Sequence, residues 1–226
     1  MKRWLAVFAL GALFAVTGAD ALLVEQTAEK LLSTVVGSST LAGAIVLAVY
    51  FGGLALGGFL SARMRAFFKD GLAMYAALEI AVGVFALLLG LTFPAAQDAL
   101  ARMVSLAGDA FLATLALRVL AAVLWLLAPT VAMGATYPAV VDALSLLGVQ
   151  RVPLAMARLY ALNLLGAVAS AFIGAYLILP ALGMTGTLLA VSGAQLVVAA
   201  CAFALSRVLR AGRPVLAPAS FPTTTA

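Results

Sequence analysis

Long apolar runs separated by short polar breaks dominate the chain, and no stretch holds a strand-like two-residue alternation long enough to build a βαβ unit. Six runs of about 20 residues stand out, at roughly 4–24, 40–61, 72–93, 111–133, 159–180 and 184–206. Backbone in hydrocarbon must satisfy its own hydrogen bonds, so each run is predicted to be a helix crossing about 30 Å of lipid tails. The expected fold is all-α, a polytopic membrane helix bundle of about six transmembrane helices. The fourth run is the hardest to end, because apolar character continues past Pro129 and Pro138 to about Leu147. Two stretches outside the runs, 25–36 and 94–106, mix charges with apolar residues at helical spacing. They are predicted to be short helices, either lying along the outer interface or packed over helix ends. Residues 1–210 read as a single transmembrane domain, and 211–226, with Pro214, Pro218, Pro222 and three terminal threonines, as a disordered cytoplasmic tail.

Composition removes most alternatives. Of 226 residues, 66% are hydrophobic and 9% charged, against about 25% charged in an ordinary soluble domain. There is no histidine and one cysteine, Cys201, so zinc centres, histidine triads, haem ligation and disulfide frameworks lack their raw material. No Gly-x-Gly-x-x-Gly turn and no Walker Gly-Lys pair is present. No cofactor, metal or catalytic residue is expected, and no nucleic-acid partner. The partner is the lipid bilayer.

The net charge of +5 reports orientation. Lys2 and Arg3, Arg63, Arg65 and Lys69, Arg151 and Arg158, then Arg207, Arg210 and Arg213 fall on one side of successive runs, ten of the thirteen basic residues. Lys30 and Arg102 fall on the other, beside Glu25, Glu29, Asp98 and Asp109. The positive-inside rule then predicts a multi-pass membrane protein with both termini in the cytoplasm. Met1-Lys2-Arg3, the apolar run and Ala19-Asp20-Ala21 also imitate a cleaved signal peptide. A retained first helix is expected, because it distributes the charges cleanly.

Ionisable residues inside the apolar runs are the candidates for chemistry, each costing about 2.5 to 3.5 kcal/mol on insertion scales unless it has a partner or a task. Glu79 and Arg118 are the clear cases. Their estimated depths converge near the midplane, so an interhelical ion pair is expected. Tyr75 precedes Glu79 by four residues and Thr114 precedes Arg118 by four, which puts each on the face of its charged neighbour. With Asn163, whose amide is expected to bond to another helix or to carbonyls freed near Pro129, these residues form a candidate intramembrane polar centre. Asp20 and Glu25 form a candidate outer acidic mouth. Gly53 and Gly57, and Gly166, Ser170 and Gly174, have the four-residue spacing of closely packed membrane helices.

The order of several blocks resembles a known family. The run Glu25…Lys30-Leu31-Leu32…Val36-Gly37-Ser38-Ser39-Thr40, then Gly53-Leu54-Ala55-Leu56-Gly57, then Tyr75…Leu78-Glu79…Gly83, is similar to the integral-membrane half of bacterial membrane-bound spermidine-synthase-like proteins. Arg118, Pro129-Thr130…Met133-Gly134-Ala135-Thr136…Pro138, Leu159-Tyr160-Ala161…Asn163…Gly166 and Leu179-Pro180…Leu182-Gly183…Gly186-Thr187 continue the likeness, over about residues 10 to 205. In that family the helices precede a cytoplasmic aminopropyltransferase domain, which this sequence does not contain; Lys30 and Ala28 stand where the family usually has Arg and an aromatic. The resemblance implies a bacterial inner-membrane location and a polyamine-linked setting; with no such domain in the sequence and the basic cluster Arg63, Arg65, Lys69, Arg151 and Arg158 on the cytoplasmic side, the expectation is a non-catalytic membrane subunit or anchor, partnered by a soluble aminopropyltransferase-like protein or by a second copy of itself. The alternative is a small secondary transporter of polyamines or other organic cations.

Overall fold

The structure is a computed structural model that describes residues 2–36, 39–108 and 110–211. It is all-helical: α1 (Lys2–Val36), α2 (Ser39–Arg65), α3 (Gly71–Ala107), α4 (Phe111–Leu146), α5 (Val152–Ile173), a π-helical turn (Gly174–Ile178) and α6 (Leu179–Ala211). Five continuous helical runs are long and apolar enough to cross a membrane, the last being Val152–Ala211. Of the expected tail, Ala211 ends α6 and residues 212–226 lie outside the described residues.

Local chemistry sets several boundaries. Asp70 caps α3 by accepting a hydrogen bond from the Ala73 backbone N–H at 2.7 Å, and α3 stops at Gly108 with φ 56°. Pro153 opens α5, where its missing N–H costs nothing. Pro94, Pro129 and Pro138 remain inside helices, as membrane helices permit. The fourth helix runs past the expected end near residue 133 to Leu146, following the apolar character that continues beyond Pro138.

The stretches 25–36 and 94–106 are not separate interfacial helices. They continue α1 and α3 without a break. At 1.5 Å per residue the 37 residues of α3 span about 55 Å, well beyond the roughly 30 Å of hydrocarbon, so charged residues such as Asp98 and Arg102 ride on the protruding end of the same rod.

Helix directions follow from close contacts. On α1 and α5, Gly11 meets Leu159, Ala15 meets Gly166 and Leu23 meets Gly174, so the two run parallel. On α2 and α4, Gly53 meets Thr130 and Gly57 meets Val131 and Ala135, again parallel. Helix α6 is antiparallel to α3, with Gln195 against Gly83, Leu188 against Gly90, and Ser206 against Asp70. Helix α1 runs parallel to α3, with Phe14 against Tyr75 and Thr17 against Glu79, so α5 and α6 are antiparallel and the 152–211 run reverses at Gly183, whose φ of 66° and ψ of −179° are non-helical. That conformation is open to glycine and strained for other residues.

The core draws on all six helices and contains Leu10, Phe14, Val46, Tyr75, Val82, Leu126, Leu159 and Val198. Large apolar side chains on the outer faces, among them Phe8, Phe51, Leu124, Phe172 and Val197, are exposed as lipid contacts would be. At one end, Arg65 Nε pairs with Asp142 at 2.8 Å, joining α2 to α4. At the same end Asp70 accepts from Ser206 Oγ at 3.0 Å and lies 2.6 Å from Arg210 Nε, joining α3 to α6.

Candidate functional site

Glu79 is fully buried on α3. Its Oε1 accepts a hydrogen bond from Thr17 Oγ1 on α1 at 3.1 Å, and the same hydroxyl lies 2.7 Å from Tyr75 Oη. Tyr75, also fully buried, stands one turn before Glu79 with its phenol against the carboxyl and its ring edge-on to Phe14. Thr17 Oγ1 also reaches the Leu13 carbonyl at 3.2 Å. Since the hydroxyl has one proton, donation to Glu79 leaves Tyr75 to donate into Thr17, a directed chain ending on the carboxyl.

Asp20 completes the group. It lies one turn beyond Thr17 on the buried face of α1, 5% exposed, close enough for its charge to act on both Glu79 and Tyr75. Its Oδ2 and the Oε2 of Glu79 are buried and make no hydrogen bond. Among the described residues the ion pairs are Arg65–Asp142 and Arg210–Asp70, so neither Glu79 nor Asp20 has a basic partner.

The expected Glu79–Arg118 pair does not form. The depth estimate took both helices as just spanning the membrane, whereas α3 and α4 run antiparallel with Gly71 packed on Ala139 and Ala143. That register puts Glu79 opposite about residue 133 of α4, leaving Arg118 about 20 Å further along the helix axis. Arg118 is half-buried there, and its Nε has no hydrogen-bond partner. Thr114 donates to its own helix, to the Phe111 carbonyl at 2.9 Å. Asn163 Nδ2 donates to the Phe14 carbonyl at 2.7 Å, so the amide bonds to α1 and not to carbonyls near Pro129. Of the expected centre, Tyr75 and Glu79 come together.

The acidic mouth also divides. Residues 20 and 25 are five apart, which on an α-helix rotates them by about 140°. Asp20 turns inward to Glu79, while Glu25 is half-exposed beside Glu29.

Two members of the interior polar set escaped the sequence reading. Thr17 lies in a buried α1 stripe that runs from Leu10 and Phe14 through Asp20, Val24, Thr27 and Leu31 at helical spacing. Gln195 is fully buried on α6 with both amide atoms unpartnered. A search for polar residues of any kind recurring on one face, and not for charges alone, finds both.

The arrangement offers two carboxylate oxygens with free acceptor capacity inside a low-dielectric bundle, where a cation would interact far more strongly than in water. Among the described residues no three of His, Cys, Asp and Glu gather in one place. No protein family, curated protein or solved structure matches the chain.

Proposed function

We propose that the chain is a small secondary transporter of a bacterial inner membrane, and that it carries a cation through the centre formed by Thr17, Asp20, Tyr75 and Glu79. The observation behind this is the pair of buried carboxylates, each with an unpartnered oxygen and no basic neighbour within ion-pair distance. Unpaired ionisable groups are costly in a bilayer and are retained for a task. A cation moving between them would supply the missing partner.

Six crossings with both termini cytoplasmic accord with this reading. The reversal at Gly183 divides the last run in two, and the clasps Arg65–Asp142 and Asp70–Arg210 share the end where the basic residues concentrate.

The test is flux. In proteoliposomes with an inside-negative potential, the native chain is expected to take up protons, sodium, calcium or putrescine well above empty vesicles. Asp20→Asn combined with Glu79→Gln is expected to lower that uptake by at least about tenfold, the loss that follows when about 1.4 kcal/mol of binding is removed. Uptake of none of these cations would refute the reading.

A second reading, the membrane anchor, rests on Arg63, Lys69, Arg151 and Arg158, which are all exposed at one end of the bundle and would suit an acidic docking surface. It takes its polyamine setting from the spermidine-synthase-like resemblance. Co-purification of a soluble aminopropyltransferase-like protein in mild detergent would favour it, and isolation of the chain alone under native expression would count against it.

A further inference from the structure

Gln195 has no role in the hydrogen-bond chain of Thr17, Tyr75 and Glu79, yet it is as buried as any residue in the protein. Its Oε1 and Nε2 are both unpartnered, although buried amides ordinarily have partners. Its position is set by Gly83, one turn after Glu79 on α3. A Cβ at Gly83 would lie 3.2 Å from the Gln195 Cβ and 3.3 Å from the Ser192 carbonyl oxygen. The bare glycine lets this part of α6 press against α3 at the level of residues 79–83.

Helix α1 reaches the same level. Thr17 bonds to Glu79, and Asp20 is one turn further along in the direction in which Gly83 follows Glu79. Three helices thus bring Asp20 Oδ2, Glu79 Oε2 and the Gln195 amide to the same level of the bundle, within about one helical turn along its axis, all buried and all unpartnered.

We propose that these atoms form a binding site for a hard metal cation of the alkali or alkaline-earth class, with the Gln195 carbonyl oxygen as a neutral ligand beside the two carboxylates. This rests on the transport reading and names its ion. The donor set consists of oxygen, the choice of hard cations. Softer metals are disfavoured, because the chain has no histidine and its one cysteine, Cys201, is exposed on α6. Glu79, Tyr75 and Gln195 are each 0% exposed, which suits a dehydrated ion. An amide oxygen adds nothing to proton carriage, since it is not a base at neutral pH, but it is an ordinary metal ligand. With two carboxylates and no third acidic group, neutral oxygens must complete the coordination, and Gln195 and Thr17 are the ones at hand.

The experiment is thermal unfolding of the full chain in mild detergent, in metal-free buffer at constant pH and ionic strength. Choline chloride is replaced stepwise by the chloride of sodium, lithium, potassium, magnesium or calcium. At least one metal is expected to raise Tm saturably by about 3 °C or more. Gln195→Met, similar in volume, is expected to raise the half-saturating concentration at least about tenfold, the scale found even for groups one shell out from a metal. Asp20→Asn, nearly isosteric, is expected to do the same, and Thr114→Val, on a different face, to leave the response intact. Absence of any metal-specific shift in the native chain overturns the proposal, as does a shift unchanged in both Gln195→Met and Asp20→Asn. A proton flux in vesicles without a metal response would overturn this proposal while sustaining transport. A metal response without flux would sustain the site and overturn transport.

Discussion

The seam between α1 and α5 gives the sharpest test of the packing. A Cβ at Gly166 would stand 2.0 Å from the Ala15 carbonyl oxygen and 2.9 Å from its carbonyl carbon, both parts of the α1 backbone. Normal contact is about 3.2 Å or more, so Gly166→Ala must separate the helices by about 1.2 Å or bend one of them. That displacement stretches the neighbouring interhelical hydrogen bonds, Asn163 Nδ2 to Phe14 O at 2.7 Å and Ser170 Oγ to Ala19 O at 2.8 Å. Such bonds contribute about 0.6 kcal/mol each in membrane proteins, and forced overpacking adds about 1 to 3 kcal/mol. The expected loss is about 2 to 4 kcal/mol. Gly193→Ala is the control, since a Cβ there meets nothing within 4 Å, and its higher helix propensity should leave stability unchanged or slightly raised. Unfolding of both variants by titration with a denaturing detergent measures the difference. Equal midpoints for Gly166→Ala and Gly193→Ala would refute the close approach of α1 and α5.

Glu79→Gln and Arg118→Met are expected to be additive within about 0.5 kcal/mol in a double-mutant cycle, because the register of α3 on α4 keeps them apart; coupling above 1 kcal/mol would show that they touch. Asp70→Ala removes a helix cap, the bond from Ser206 and the pairing with Arg210 at one buried position, and is expected to cost about 2 to 3 kcal/mol in the same unfolding assay. Asp142→Ala breaks a pair whose side chains are 34% and 33% exposed and is expected to cost less than about 1 kcal/mol; a loss equal to that of Asp70→Ala would show that the ranking by burial fails. Reporter fusions after Lys69 and after Arg102 are expected to give opposite sidedness, and matching signals would overturn the six-crossing topology.

Apolar periodicity and a scarcity of charge determine, without any tertiary information, that this chain is helical and suited to lipid, because hydrocarbon leaves the backbone no other way to satisfy itself over 20 residues. The glycines and small residues that bring α1 to α5 and α2 to α4 were legible for the same reason, since their four-residue spacing is a property of a single helix. Glu79 was legible as a buried charge, and Tyr75 as its neighbour on the same face. The partner of Glu79 was not. Which helix stands beside α3, and at what height, depends on register, and register is set by contacts such as Gly71 on Ala139 and Gly83 on Gln195 that join residues far apart in the chain. A slide of a few turns separates Glu79 from Arg118 and delivers Thr17 and Asp20 in its place. The reversal at Gly183 was legible, as the gap between the runs at 159–180 and 184–206; that α6 then returns along α3 and buries its Ser192, Gln195 and Val198 face there was not, because that pairing joins residues more than a hundred positions apart.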